Sequence, residues 1–263
     1  MQCSVMVAPI DTFDFAQTRA EHFLVLYRIL HDQRRRKVRS DWANTFRELM
    51  RWPKAEDFKR IDGENSILIL RQELGISRKD FKHEYVSELL RGSLAFSISA
   101  MDLFFHDSVV YWSWEMLRNA EDDIPKELKK ISLPIVVTKR VVEQLRKNPT
   151  ARPSEKIKKE LQKVLHEQTF QPSNGIKRAF DMLGIQDCWT KVSREMGIDK
   201  SVMLKQLNDS VKRRNKIVHE ADIVLKTKAK RIDKRPIAKK EVEDAVKFIR
   251  DFVEASDIVI SRP

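Results

Sequence analysis

Apolar residues recur every three or four positions through most of this chain, the period of helices with one buried face. Residues Thr12 to Gln33 form the first such run, with Phe15, Phe23, Leu26 and Leu30 as core candidates. It ends in Arg34-Arg35-Arg36-Lys37, where cations suit the negative end of a helix. Ser40 or Asp41 caps a second run through Met50, which Trp52-Pro53 stops. Ser66 to Leu70 is the one convincing strand candidate, and no neighbouring stretch offers an obvious partner. Ser77 opens the longest segment, which extends to about Asn119 with Gly92 as a candidate break. That segment carries two stripes. Leu94, Ile98, Met101, Phe105 and Trp112 are bulky and read as core, whereas Ala95, Ser99, Asp102, His106, Val109 and Ser113 are small or polar. Small residues let a second helix approach closely.

Prolines at 125, 134, 149, 153 and 172 cut the next stretch into short pieces, with helices over Val136 to Lys147 and Ser154 to Glu167. Short helices follow over Asn174 to Leu183 and Asp187 to Met196, with Gly184 and Gly197 as stops. Asp199 caps the next helix, a basic loop covers Lys226 to Pro236, and a last helix runs from Ala238 to about Val259. The pattern predicts an all-α protein with at most a short β element. Its organisation reads as an N-terminal elaboration over residues 1–76, packed on a helical domain over 77–263. Residues 121–175 read as a segment inserted into that domain.

Composition narrows the function. The 263 residues are 41% apolar, enough for a core, and their six glycines are too few for a many-stranded β protein. No apolar run is long enough to span a bilayer, and the start lacks the charged and apolar regions of a signal peptide. The expectation is a cytoplasmic protein with no membrane association. Cys3 and Cys188 stand alone, without metal-ligand spacing, and no Walker loop, GxGxxG or serine elbow occurs. Neither a metal nor another cofactor is expected. Net charge is +12, and the stretch from Ser201 to Lys240 holds thirteen Lys or Arg against four Asp or Glu. Basic charge gathered in one region points to a polyanion.

Within that stretch lies Arg213-Arg214-Asn215-Lys216-Ile217-Val218-His219-Glu220. The helix around it has apolar positions at Leu204, Leu207, Val211, Val218, Ala221 and Leu225, and Arg214 fills the gap between Val211 and Val218. A guanidinium on a core-facing row is costly unless an anion or water satisfies it. His219 lies about 140° further round the helix, within reach of a long arginine. Arg78 and His83 repeat the spacing without the apolar frame. Asp102, on the small stripe, is the carboxylate expected to orient or neutralise Arg214 as the two helices pack together. His106 is a weaker supporting residue beside it.

Arg214 to His219 resembles the Arg-polar-x3-His motif of the HEPN ribonucleases, most closely the RiboL-PSP-HEPN branch. Leu94 to His106, and Met50-Arg51-Trp52-Pro53 leading to Asp62-Gly63, resemble the same branch. The likeness spans about Asp41 to Ile260 and is thin between Ser132 and Thr169. It implies a HEPN-like helical bundle and a metal-independent endoribonuclease. The catalytic residues would be Arg214, Asn215 and His219, with Lys212, Arg213 and Lys216 binding RNA. It further implies a homodimer with a composite site, in a defence or toxin setting with a regulatory or antitoxin partner. A non-catalytic module that binds RNA, nucleotide or protein is the competing reading, because the family also includes members without activity.

Overall fold

The computed structural model describes residues 7–31, 34–36, 39–53, 58–62, 67–71, 78–118, 124–148, 154–224 and 233–261. Among these, ten helices account for most of the chain, and the β structure is confined to two small sheets. The fold is all-α, as the periodicity predicts.

The organising element is α3, His83–Arg118, which follows a 3-10 turn at Arg78–Phe81. Its 36 residues span roughly 54 Å at 1.5 Å per residue. Leu90, Leu94, Ile98, Met101, Phe104 and Phe105 are buried along it, so the bulky stripe is core, with Trp112 half-buried at its end. The helix passes through Gly92 unbroken. A Cβ there would sit 2.6 Å from the Phe23 ring, so the glycine serves a close approach between helices. Ser77 and Asn119, the expected ends, lie outside the described residues.

The first helix, α1, covers Pro9–Leu30, with proline in its first turn. It lies along α3 and buries Phe13, Gln17, Ala20, Leu24 and Tyr27. The expected core face is displaced: Phe15 is 71% exposed and Leu26 is also exposed, while Phe23 is half-buried. The reason is Gln17, which a hydrophobic criterion places outside. Its Nε2 donates to Ser97 Oγ of α3 (3.0 Å) and to the Val246 carbonyl of the last helix (3.3 Å). These two bonds satisfy the Nε2 end of the buried amide, while its Oε1 has no hydrogen-bond partner among the described residues.

Arg34–Arg36 is not the end of α1 but a strand, β1. It pairs antiparallel with β2, Phe58–Asp62, which pairs in turn with β3, Ile67–Arg71. The strand candidate therefore has a partner, supplied from across a short connection. Between β1 and β2 stands α2, Ser40–Met50, ended by Arg51 in a left-handed conformation.

The middle of the chain forms α4 (Lys126–Lys129), α5 (Ile135–Lys147) and α6 (Ser154–His166). Of these, α6 packs on α3, and α5 packs on α6. Next come α7 (Ser173–Met182), α8 (Cys188–Met196) and the motif helix α9 (Lys200–His219). A two-residue ribbon joins β4, Ile223–Val224, to β5, Asp233–Lys234, and α10, Lys239–Ser261, completes the bundle. Phe105 sits at the centre, with the rings of Phe104, Phe180 and Phe252 about it. Among the described residues, no helix is long and apolar enough to cross a membrane.

Candidate active site at the end of the motif helix

Asp199 starts α9 as its N-cap, accepting from the backbone N–H groups of Ser201 (2.7 Å) and Val202 (3.3 Å). The Ser201 hydroxyl, which also donates to Asp199, and then those backbone bonds hold its carboxyl below the usual carboxylate range. Met203, Leu207 and Val211 then bury one side of the helix against α3, α8 and α10. The motif helix packs on α3, as expected, but Ser99 of the small stripe is exposed.

The apolar row does not stay buried to its end. Val218 points along the same side as Leu207 and Val211, within about 40° at 100° per residue, yet it is 49% exposed. Ala221 is exposed as well, and Leu225 lies outside the described residues. The last turns of α9 extend past the elements that cover its middle. Arg214 projects along this same side, half-buried. Its Nη1 donates to Asn215 Oδ1 (3.1 Å), and its Nε is buried with no acceptor among the described residues. No carboxylate among the described residues stands within ion-pair distance of it.

The neighbouring arginine differs. Arg213 makes a fork onto Asp222, with Nη1 to Oδ1 at 2.7 Å and Nη2 to Oδ2 at 3.0 Å, and donates to the Pro236 carbonyl at 2.9 Å. Arg91 of α3 closes the other side of Asp222 through Nε at 2.7 Å, and donates to Ser87 Oγ and the Arg235 carbonyl. Asp222 is wholly buried and Arg91 is 5% exposed. The expectation that Arg213 binds RNA is therefore corrected, since its head group is already committed inside the protein. Lys212 and Lys216 are exposed and remain open to a polyanion.

Asp102 is also placed elsewhere. Its Oδ1 accepts the Phe170 backbone N–H (2.7 Å) and its Oδ2 accepts Gln171 Nε2 (3.0 Å). The expected pairing with Arg214 is not formed, because the segment leading into α7 takes both oxygens. His106 is 7% exposed, with Nε2 3.7 Å from Asp102 Oδ1 and its ring 4.6 Å from that of Phe170. Both residues brace that segment. Asn215 and His219, by contrast, are exposed on α9, and His219 is the helix's last residue. Arg78 and His83 fall in a 3-10 turn and at a helix start, so they do not share one helix as Arg214 and His219 do.

Sequence reasoning missed Arg91 and Asp222. The small stripe, continued one turn back from Ala95, lands on Arg91, and that was the available signal. No curated protein and no solved structure matches the chain. The RiboL-PSP-HEPN model matches residues 56–262, a span that holds α3, the motif and Asp222. The chain thus belongs to the RiboL-PSP-HEPN family, which ties it to nuclease or other RNA-related function.

Proposed function

We propose that this protein is a metal-independent endoribonuclease whose site is formed by Arg214, Asn215 and His219. The single observation that carries the reading is the contrast between two adjacent arginines. The Nε of each is buried without a hydrogen-bond partner, but Arg213 is neutralised by the fork onto Asp222, whereas half-buried Arg214 has no carboxylate within ion-pair distance among the described residues. A guanidinium held in that state is suited to a phosphate, whose oxygens match its planar fork.

The chemistry follows from the groups present. The ribose 2′-OH attacks the adjacent phosphorus and the 5′-oxygen leaves, giving a 2′,3′-cyclic phosphate and a 5′-hydroxyl. His219 takes the proton from the 2′-OH and a proton is returned to the departing 5′-oxygen, the general base and acid roles open to an imidazole. Arg214 holds the non-bridging oxygens as charge grows on them. Asn215 fixes the guanidinium through its Oδ1, and Lys212 and Lys216 draw the RNA backbone to the helix. Asp102 and His106 act only at a distance, by bracing α3 against the approach to α7.

The uncovered end of α9 supports a composite site in a homodimer. Val218 and Arg214 face a side that is core further up the helix and open at its end. A second motif helix laid there covers Val218 and brings a second Arg214 to the same phosphate. A regulatory or antitoxin partner, and a defence setting, fit a nuclease that must be held in check.

The test is incubation of the protein with mixed cellular RNA in EDTA, with the cut ends mapped. Cyclic phosphate ends, and resistance of DNA and of 2′-O-methyl RNA, are the expected result. RNA binding without any cut, unaffected by His219→Ala, is what a binding-only module gives.

A further inference from the structure

Asp222 lies three residues beyond His219, and every polar atom it has is used. Its two carboxylate oxygens take three N–H donors from Arg91 and Arg213. Its backbone N–H reaches back to the Lys216 carbonyl at 2.9 Å, and its own carbonyl accepts the Arg235 N–H at 2.8 Å. The first of these backbone bonds runs from residue i+6 to i, one residue wider than the i+5 to i closure of a Schellman turn. That turn needs a left-handed residue just past the helix, where glycine is usual. Here Ala221 (φ +48°) and then Asp222 (φ +56°) both adopt it. Two such non-glycine residues in succession persist only where the surroundings over-determine them. The clamp on Asp222 supplies that constraint.

The same clamp separates two arginines that the sequence makes equivalent. Arg213 and Arg214 are adjacent at the end of one helix, and among the described residues only Arg213 has an acidic partner. Arg91, Asp222 and Arg213 together carry one net positive charge inside the protein, and a carboxylate is what makes that arrangement tolerable.

We propose that Asp222 is a positioning residue of the site: it withdraws Arg213 from the phosphate, leaves Arg214 as the anion-binding arginine, and fixes the turn that places His219. The assignment rests on the proposed role of Arg214. It goes further in explaining which arginine binds and why the helix ends where it does. A clamp with only a structural purpose gives stability and no selection between the two guanidiniums.

The experiment separates these. Inorganic phosphate is titrated into 15N-labelled protein, and the arginine Nε–H signals are followed by NMR, with Arg213→Lys and Arg214→Lys used for assignment. In the wild type the Arg214 signal shifts and the Arg213 signal does not. Asp222→Asn leaves the Arg91 and Arg213 guanidiniums with only the exposed carboxylates of Glu88 (3.5 Å) and Glu241 (4.0 Å) and is at risk of failing to fold. The double variant Arg91→Gln, Asp222→Asn keeps the buried net charge at one and releases Arg213. In it, both signals respond to phosphate. RNA cleavage by the double variant should fall about 10²-fold in kcat, the scale of an ångström-sized misplacement, with KM within a few-fold. A wild-type response at Arg213, or a double variant whose selectivity and kcat match the wild type, overturns the proposal. Wild-type protein that shows the Arg214 response but cuts no RNA refutes the nuclease and leaves the selection of Arg214 standing.

Discussion

Removing the Asp102 carboxylate separates a brace from a catalytic partner. Asp102→Ala takes away the acceptor of the Phe170 backbone N–H at 2.7 Å and that of Gln171 Nε2 at 3.0 Å. Phe170 is fully buried, so its N–H is left without water or partner. Hydrogen bonds to a charged acceptor contribute about 1.5–3 kcal/mol each when the partner is stranded. The Gln171 bond is worth less, because that side of Asp102 is partly open to solvent and the amide can turn to water. The loss is therefore roughly 2–3 kcal/mol, or about 5–10 °C in Tm at this chain length. Asp102→Asn keeps one acceptor and should lose roughly half as much. Differential scanning calorimetry gives the shift, and RNA cleavage at 25 °C, well below either transition, gives the function. The expected result is a lowered Tm with cleavage within a few-fold of wild type. An unchanged Tm with a 10²-fold slower cut would refute this reasoning and restore Asp102 as the partner of Arg214.

Two further outcomes test the packing. Gly92→Val forces branched carbons onto the Phe23 ring, which already stacks edge-on against Phe96 at 5.4 Å. Urea denaturation should show a loss of about 1–3 kcal/mol, and a loss under ~0.5 kcal/mol would contradict the close approach of α1 and α3. Burial pushes the Cys188 thiol up to about 11, so the native protein holds almost no thiolate there at pH 8. With Cys3 replaced by serine, iodoacetamide labelling at that pH should track unfolding by urea, and rapid labelling of folded protein contradicts the burial.

What the sequence made legible follows from which forces are local. The bulky stripe of α3 was readable because Leu94, Ile98, Met101 and Phe105 keep helical spacing and are all buried. The buried face of α1 was not, because it is written with Gln17 and Ala20, while the more apolar Phe15 is left exposed. Gln17 is interior only by virtue of Ser97 and Val246, 80 and 229 residues away, and no periodicity reports such partners. Arg34–Arg36 read as a helix end because its pairing with β2 is a tertiary fact. At the site, the need of a motif arginine for a carboxylate is legible, but the pair that forms is Arg213 with Asp222 and not Arg214 with Asp102. That pair depends on a turn through Ala221 and Asp222, of which alanine carries no turn signal and a lone aspartate does not fix one. Arg214, Asn215 and His219 themselves were visible because they lie on one helix, whose cap at Asp199 is also local.

The central claim is that the end of α9 cuts RNA, and the most direct measurement compares wild type with His219→Ala on one RNA in EDTA. Both proteins are first matched for folding by circular dichroism, and the products are scored for 2′,3′-cyclic phosphate ends. The account predicts wild-type cleavage and a loss of about 10²–10⁴-fold in the variant, the contribution of a positioned acid–base group. Equal cleavage by the two folded proteins would contradict the assignment of this motif as the active site.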